Sequence, residues 1–241
     1  MNLAIDVGNT RTKVGLFKAG QLYKRMDFDA ISKNKIIELA TNHNAQNIIL
    51  SSVALSLSRE EEEEIRHLFP FLILSTNTAL PIQNLYHTPE TLGKDRIAGV
   101  VGAHVMHPGQ SCLVIDAGTC ITYDLLLDGE RYLGGNIAPG IKMRLKAMHT
   151  FTASLPNVPL SGGQKEWIGK DTISALQNGA EVGALLEAEG FIKYCEEKHG
   201  EIKVIFTGGN ADFFAKHLKR LIFVNQNLVL IGLNKIAEYN V

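Results

Sequence analysis

Two short stretches carry the residue types that hold phosphate. Asp6-Val7-Gly8-Asn9-Thr10-Arg11-Thr12-Lys13 puts a carboxylate, a glycine, short amide and hydroxyl side chains and a lysine into one bend. Asp116-Ala117-Gly118-Thr119-Cys120-Ile121-Thr122 repeats the order. Glycine lets backbone N–H groups approach an anion closely, and Asn9, Thr10, Thr119 and Thr122 add donors of little bulk. One copy alone describes an ordinary turn equally well, because Asp, Gly, Asn and Thr dominate turns. Recurrence points instead to a duplicated unit.

A third stretch, Tyr86-His87-Thr88-Pro89-Glu90-Thr91-Leu92-Gly93-Lys94-Asp95-Arg96, leads into an apolar helix through Val100, Val101 and Val105. Asp95 is placed to accept a proton from an alcohol, and the rigid fork of Arg96 matches a carboxylate. The same pair also reads as a helix cap with a surface arginine. Thr207-Gly208-Gly209-Asn210 follows an apolar run and puts small donors at a sheet's C-terminal edge, where open α/β sheets bind ligands; it reads equally as a tight turn. His104 and His107 have no third metal ligand nearby and read as packing or surface groups. The acids Glu60 to Glu64 read as a solvated helix face behind a Ser58 cap.

The elements that position these residues follow from apolar periodicity. Met1 to Ile5 and Cys112 to Ile115 are short buried strands, so each acid falls at a strand end. Hairpins are expected about Lys18-Ala19-Gly20 and at Asp128-Gly129. The first half reads as three strands to about Phe28, a helix from about Ser32 to Thr41, a buried strand Asn47 to Val53, a helix after Ser58 and a strand Phe71 to Leu74. That β-β-β-α-β-α-β order resembles a ribonuclease-H-like unit. The second half repeats it with an insertion: strands within Leu113 to Leu133, helices Gly140 to His149 and about Thr172 to Lys198, a strand Lys203 to Thr207, a helix Ala211 to Leu218, a strand Leu221 to Val224 and a last helix Leu228 to Tyr239. The predicted class is α/β, with halves 1–110 and 111–241.

Composition narrows the function classes. With 241 residues and a formal net charge of −1, the chain has ample apolar content for a core and no global basic balance suited to nucleic acid or a membrane surface. Cys112, Cys120 and Cys195 are odd in number and without CxxC spacing, which indicates neither a disulfide framework nor a zinc site. No apolar run approaches the roughly 20 residues needed to cross a bilayer, and the chain reaches charged Asp6 within a few residues. A cytoplasmic protein is expected.

Taken together these marks resemble the type III pantothenate kinases, members of the actin, Hsp70 and sugar-kinase superfamily. The resemblance runs nearly end to end. It is carried by Asp6 to Thr10 with Lys13, Tyr86, Gly93 to Arg96, Asp116-x-Gly118-Thr119-x-x-Thr122 with Asp124, Gly134-Gly135-Asn136-Ile137-Ala138-Pro139-Gly140, Thr152-Ala153-x-Leu155-Pro156, Gly169 to Thr172, and Thr207-Gly208-Gly209. No Gly-x-x-x-x-Gly-Lys-Ser/Thr loop is present, which argues against a P-loop kinase.

The resemblance implies two tandem ribonuclease-H-like units in an actin-like ATPase fold, with ATP in the cleft between them. The implied activity is phosphorylation of the primary alcohol of pantothenate, the first step of coenzyme A biosynthesis. It implies that Asp6, Val7, Gly8, Asn9, Thr10, Arg11, Thr12 and Lys13 hold the phosphates, that Thr119 contacts ATP, and that Asp95 is the base. Tyr86, Gly93, Lys94, Asp95, Arg96 and Thr172 would hold pantothenate. Asp116 would hold a monovalent cation, K⁺ or NH₄⁺, Mg²⁺ would accompany ATP, and the enzyme would be a homodimer. One departure is Asn227, where the family pattern leads one to expect an aspartate. Two other classes stand beside this one: a kinase of another small alcohol, and a non-catalytic nucleotide-binding regulatory factor of the same fold. Asp95, Arg96 and Lys13 speak against the second, since a binding protein needs no base aimed at an alcohol. A filament or chaperone ATPase is disfavoured by the chain's length.

Overall fold

Apolar runs bounded by glycine turns become strands, and the periodic segments between them become helices. The computed structural model describes residues 1–52, 57–163 and 166–241. In chain order its elements are β1 (Asn2–Val7), β2 (Thr12–Lys18), β3 (Gln21–Phe28), α1 (Lys33–Asn42), β4 (Asn47–Ser52), α2 (Arg59–Leu68), β5 (Phe71–Ile73), β6 (Gln83–Asn84) and, after a 3-10 turn, α3 (Lys94–Met106). There follow β7 (Cys112–Ala117), β8 (Cys120–Leu127), β9 (Arg131–Pro139), α4 (Ile141–Thr150), α5 (Thr172–His199), β10 (Lys203–Thr207), α6 (Ala211–His217), β11 (Phe223–Val224) and α7 (Leu228–Tyr239). Two compact units result.

The first unit contains Met1–Gly109, Leu126–Leu133 and Asn227–Val241. Its sheet has the order β3-β2-β1-β4-β5. β1 runs antiparallel to β2 and parallel to β4. Ala19 and Gly20, at φ 49° and 76°, make the left-handed turn that joins β2 to β3. Ser58 and Glu61 form a reciprocal capping box on α2, and Glu64 pairs with Lys33 at 2.6 Å, so the acid run is a helix face as expected. α7 packs on α3 and on β1, and Leu228, Leu230, Leu233 and Ile236 are fully buried. The two helices cross so closely at Gly232 that a Cβ there would run into the Ala98 carbonyl.

The second unit contains Gln110–Leu125 and Gly134–Gln226. Its strands follow the order β11-β10-β7-β8-β9, with β10 parallel to β7. Leu113, Ile115, Phe206 and Phe214 form its core with Ala180, Ala184, Ala188 and Ile192 of α5, where the alanines permit a close helix-to-sheet approach. Beyond β9, β6 pairs with Arg131 and Tyr132, residues grouped with the first unit.

Most elements lie within a residue or two of their expected bounds, and two differ. β9 continues through Pro139, so the glycine-rich stretch expected to follow a strand is itself strand. β6 has two residues, too few to show a period. Val53, the expected end of β4, lies outside the described residues.

Candidate active site

The first acidic turn is set by sheet register. Asp6 ends the apolar run of β1; across β2 its partner is Lys13, and across β4 its partner is Ser51. Directly paired residues on neighbouring strands project to one face. A lysine, a carboxylate and a hydroxyl therefore stand in a row. Val7 is buried beside Asp6, and the Gly8 amide donates to the Arg11 carbonyl at 3.1 Å to close the bend. That leaves Asn9, Thr10 and Arg11 exposed, while Thr12 is buried and Lys13 partly so. Ser51 is 1 % exposed, and its hydroxyl has no hydrogen-bond partner.

The second turn repeats the arrangement. Asp116 nears the end of β7, the Gly118 amide donates to the Cys120 carbonyl at 2.9 Å, and Thr119 is exposed at the tip. Across β10 the partner of Asp116 is Thr207, whose hydroxyl is also buried and without a partner. Gly208 follows at φ 87°, and a Cβ on it would collide with Asp116 Oδ1, so only glycine permits this approach. Two neighbouring loops hold the turn. The Asn210 amide donates to the Ala117 carbonyl at 2.8 Å and the Asn210 side chain to that of Gly118 at 3.3 Å, while the Gly140 amide donates to the Thr119 carbonyl at 3.1 Å.

Behind Gly140, Arg144 Nε donates to the Pro139 carbonyl at 2.9 Å. Its Nη2 reaches both oxygens of Glu187 at 2.8 Å, and the Tyr123 hydroxyl donates to the same carboxylate at 3.0 Å. Burial, with Glu187 beside it, pushes the Tyr123 phenol well above its usual range and keeps it a donor. This network fixes β8, the end of β9, α4 and α5 together.

The third stretch surrounds the N-terminus of α3. Gly93 is the N-cap and offers no side-chain cap. Asp95 instead sits in the first turn, where its Oδ1 accepts from the Arg96 amide at 2.9 Å and lies against Gly93. The expected alternative, an aspartate cap with a surface arginine, is not what forms. Arg96 is buried, with its guanidinium 5.5 Å from the centroid of the Tyr86 ring. Tyr86 in turn lies parallel to the buried Tyr132, 6.3 Å between centroids. Lys94 is partly buried. Tyr86, Gly93, Lys94, Asp95 and Arg96 thus belong to the first unit with Asp6 to Lys13, whereas Asp116, Thr119 and Thr172 belong to the second.

Thr172 is exposed as the first residue of α5. The helix is capped by Asp171, whose carboxyl is held below its usual range by hydrogen bonds from Ser174. The departure at Asn227 has a local account. Its Oδ1 accepts from Arg25 Nη1 at 3.0 Å, and Arg25 is already paired with Asp27 at 2.8 Å, so a neutral acceptor suffices. His104 Nδ1 lies 2.6 Å from the Gly129 carbonyl, and no group of three metal-binding side chains occurs among the described residues.

Sequence reasoning passed over Ser51 and Tyr132. Ser51 ends an apolar run as Asp6 does, which was a usable signal. Tyr132 reads only as a strand residue until β6 brings Tyr86 against it.

The model of the type III pantothenate kinase family matches residues 2–194. The chain belongs to that family. A type III pantothenate kinase of Bacteroides fragilis (strain YCH46) is 42% identical over 241 residues, covering 100% of this chain and 98% of the relative. Among solved structures, a protein described as a Baf-family transcriptional activator from Campylobacter jejuni superposes with a TM-score of 0.61 at 23% identity, covering 99% of this chain and 98% of its own. The activator of the 2-hydroxyisocaproyl-CoA dehydratase from Clostridium difficile, with ADPNP bound, gives 0.55 at 12% identity, covering 99% and 93%. At those identities the likeness is one of fold, and the fold is that of the actin-like ATPases and sugar kinases.

Proposed function

We propose that this pantothenate kinase family member transfers the γ-phosphoryl group of ATP to the primary alcohol of pantothenate. Membership of the family carries that reading, and the first unit's Asp6–Lys13 register and Asp95–Arg96 helix start support the division of labour. The backbone of Gly8 to Arg11, with Asn9, Thr10 and Thr12, cradles the phosphates of ATP, Lys13 neutralises them, and Thr119 holds the nucleotide. Arg96 takes the pantothenate carboxylate, helped by Tyr86, Gly93, Lys94 and Thr172. Asp95 orients the substrate hydroxyl and receives its proton as the new O–P bond forms and the bond to the bridging oxygen of ADP breaks. Phosphoryl transfer proceeds through a loose transition state, so positioning and charge neutralisation dominate.

Asp6 and Asp116 would meet the like charge of a triphosphate, and hard oxygen donors suit Mg²⁺ at the first and a monovalent cation at the second. The unpartnered Ser51 and Thr207 hydroxyls beside them fit such occupants. When bound, these ions neutralise phosphate charge. Phe151, Trp167, Ile168 and Ile173 expose apolar surface in the second unit that a partner copy would cover in a homodimer. No described helix is long and apolar enough to cross a membrane. Three cysteines without a pairing pattern support a reducing compartment, and we propose the cytoplasm.

The deciding experiment measures ADP release from Mg·ATP with and without pantothenate, in potassium and then in sodium buffer. Pantothenate-dependent release that requires potassium is the expected result. Release with other alcohols but not with pantothenate would move the substrate, and nucleotide binding without any turnover would favour a regulatory factor.

A further inference from the structure

Ser51 and Thr207 are each 1 % exposed, and neither hydroxyl finds a hydrogen-bond partner. A buried hydroxyl left unpaired is disfavoured, and a position serving packing alone is better filled by Ala or Val. The two defects share one place in the fold. Ser51 is the register partner of Asp6 across β1 and β4, and Thr207 is the register partner of Asp116 across β7 and β10. Each hydroxyl therefore projects to the same face as an acid at the C-terminal end of a central parallel strand, which is where ligands bind in open α/β sheets. In the second unit the Asp116 carboxylate also lies against Gly208, the residue after Thr207. The same unsatisfied geometry arising at equivalent positions of both units is not explained by local packing, because the surrounding side chains differ: Leu50 precedes Ser51 and Phe206 precedes Thr207.

We propose that Ser51 and Thr207 are positioning residues for phosphoryl transfer, each hydroxyl completing the oxygen shell of what the neighbouring acid holds. Ser51 donates to a phosphate or water oxygen of Mg·ATP at Asp6, and Thr207 lends its oxygen to the monovalent cation at Asp116. The inference rests on the functional reading above. It adds that each acid acts with a hydroxyl from the adjacent strand, and that the folded chain without ligand carries two unsatisfied groups that the ligands relieve.

The test compares the wild-type chain with Ser51→Ala, Thr207→Val and Thr207→Ser. Binding of Mg²⁺ with a non-hydrolysable ATP analogue is read by calorimetry, pantothenate-dependent ADP release is read against rising potassium, and melting is read with and without nucleotide. Ser51→Ala is expected to weaken the Mg·nucleotide about tenfold, the worth of one good hydrogen bond, with the KM for pantothenate unmoved. Thr207→Val is expected to raise the potassium needed for half-maximal rate by about tenfold, and Thr207→Ser to restore it to within about twofold. Without ligand, Ser51→Ala and Thr207→Val should melt no lower than wild type, since each removes an unsatisfied group, while the rise in melting temperature on adding nucleotide should shrink in Ser51→Ala. Hydroxyls with only a structural role would give the reverse: lower melting without ligand and an intact ligand-induced rise. That result, or unchanged nucleotide and potassium responses in variants of an active wild type, overturns the inference alone. A wild type that neither binds nucleotide nor phosphorylates pantothenate overturns the functional reading with it. Should Thr207→Val fail to fold, Thr207→Ala against Thr207→Ser carries the same comparison.

Discussion

The guanidinium of Arg96 lies over the ring of Tyr86, 5.5 Å from its centroid, and Tyr86 lies parallel to the buried Tyr132. A planar cation thereby lies over a planar stack, which helps to fix the guanidinium's orientation. Lysine would keep the charge but neither stack nor bind in two-pronged fashion. Arg96→Lys is expected to raise the KM for pantothenate about tenfold or more with a smaller change in kcat, and Tyr86→Leu to raise it about 2–30-fold through the lost cation–π contact. Steady-state kinetics decide it; an unchanged KM in Arg96→Lys would remove Arg96 from carboxylate recognition.

Asp95, proposed above as the base, is anchored through one oxygen by the Arg96 amide. Asp95→Asn keeps the size and the acceptor but loses the base, so kcat should fall about 10²–10⁴-fold while nucleotide binding persists. A loss below about tenfold would exclude the role of base.

Lys13 stands opposite Asp6 in the β1–β2 ladder. Lys13→Ala should weaken ATP more than pantothenate, and more at low salt than at high, because its contribution is charge. Equal weakening of both substrates would show that it acts through structure.

The Arg144–Glu187 pair, with side chains 18% and 29% exposed, ties the Gly140 turn to α5. Glu187→Leu leaves Arg144 without its partner and should lower stability by about 1–3 kcal/mol, or roughly 2–10 °C in Tm. Differential scanning calorimetry checks this. Tyr123→Phe, which removes a single neutral donor, should cost less.

Burial pushes the Cys112 thiol up to about 11 and the Cys195 thiol upward as well, with Glu196 adding to the second. Both thiols are also buried, so iodoacetamide should label the partly exposed Cys120 first, as read by mass spectrometry. The linked effect on stability follows from sign. An unfolded thiol ionises near about 8.5, so a raised folded value leaves stability intact below that pH and erodes it as pH climbs towards 11.

Much of this was legible in residues whose types dictate backbone. Asp128-Gly129 announces its hairpin because both positions need a left-handed conformation, and both adopt it, at φ 55° and 70°. Asp6 and Asp116 end apolar runs, and the recurrence exposed the duplication. Relations that depend on which strand lies beside which were not legible. Ser51 and Thr207 look like any polar strand end until register sets them beside the acids. Tyr132 gains a role only through the two-residue β6. The periodicity of α7 shows an apolar helix on every turn, but not that it packs on α3 and β1.

That last packing has a consequence for how the chain is made. β1 leaves the ribosome more than 200 residues before the helix that covers it, Leu228–Tyr239. At about 5–20 residues per second, the first unit waits roughly 10–50 s with its apolar face unshielded. During that interval the nascent chain is a substrate for chaperones, and a ribosome that stalls before α7 releases a first unit that cannot close.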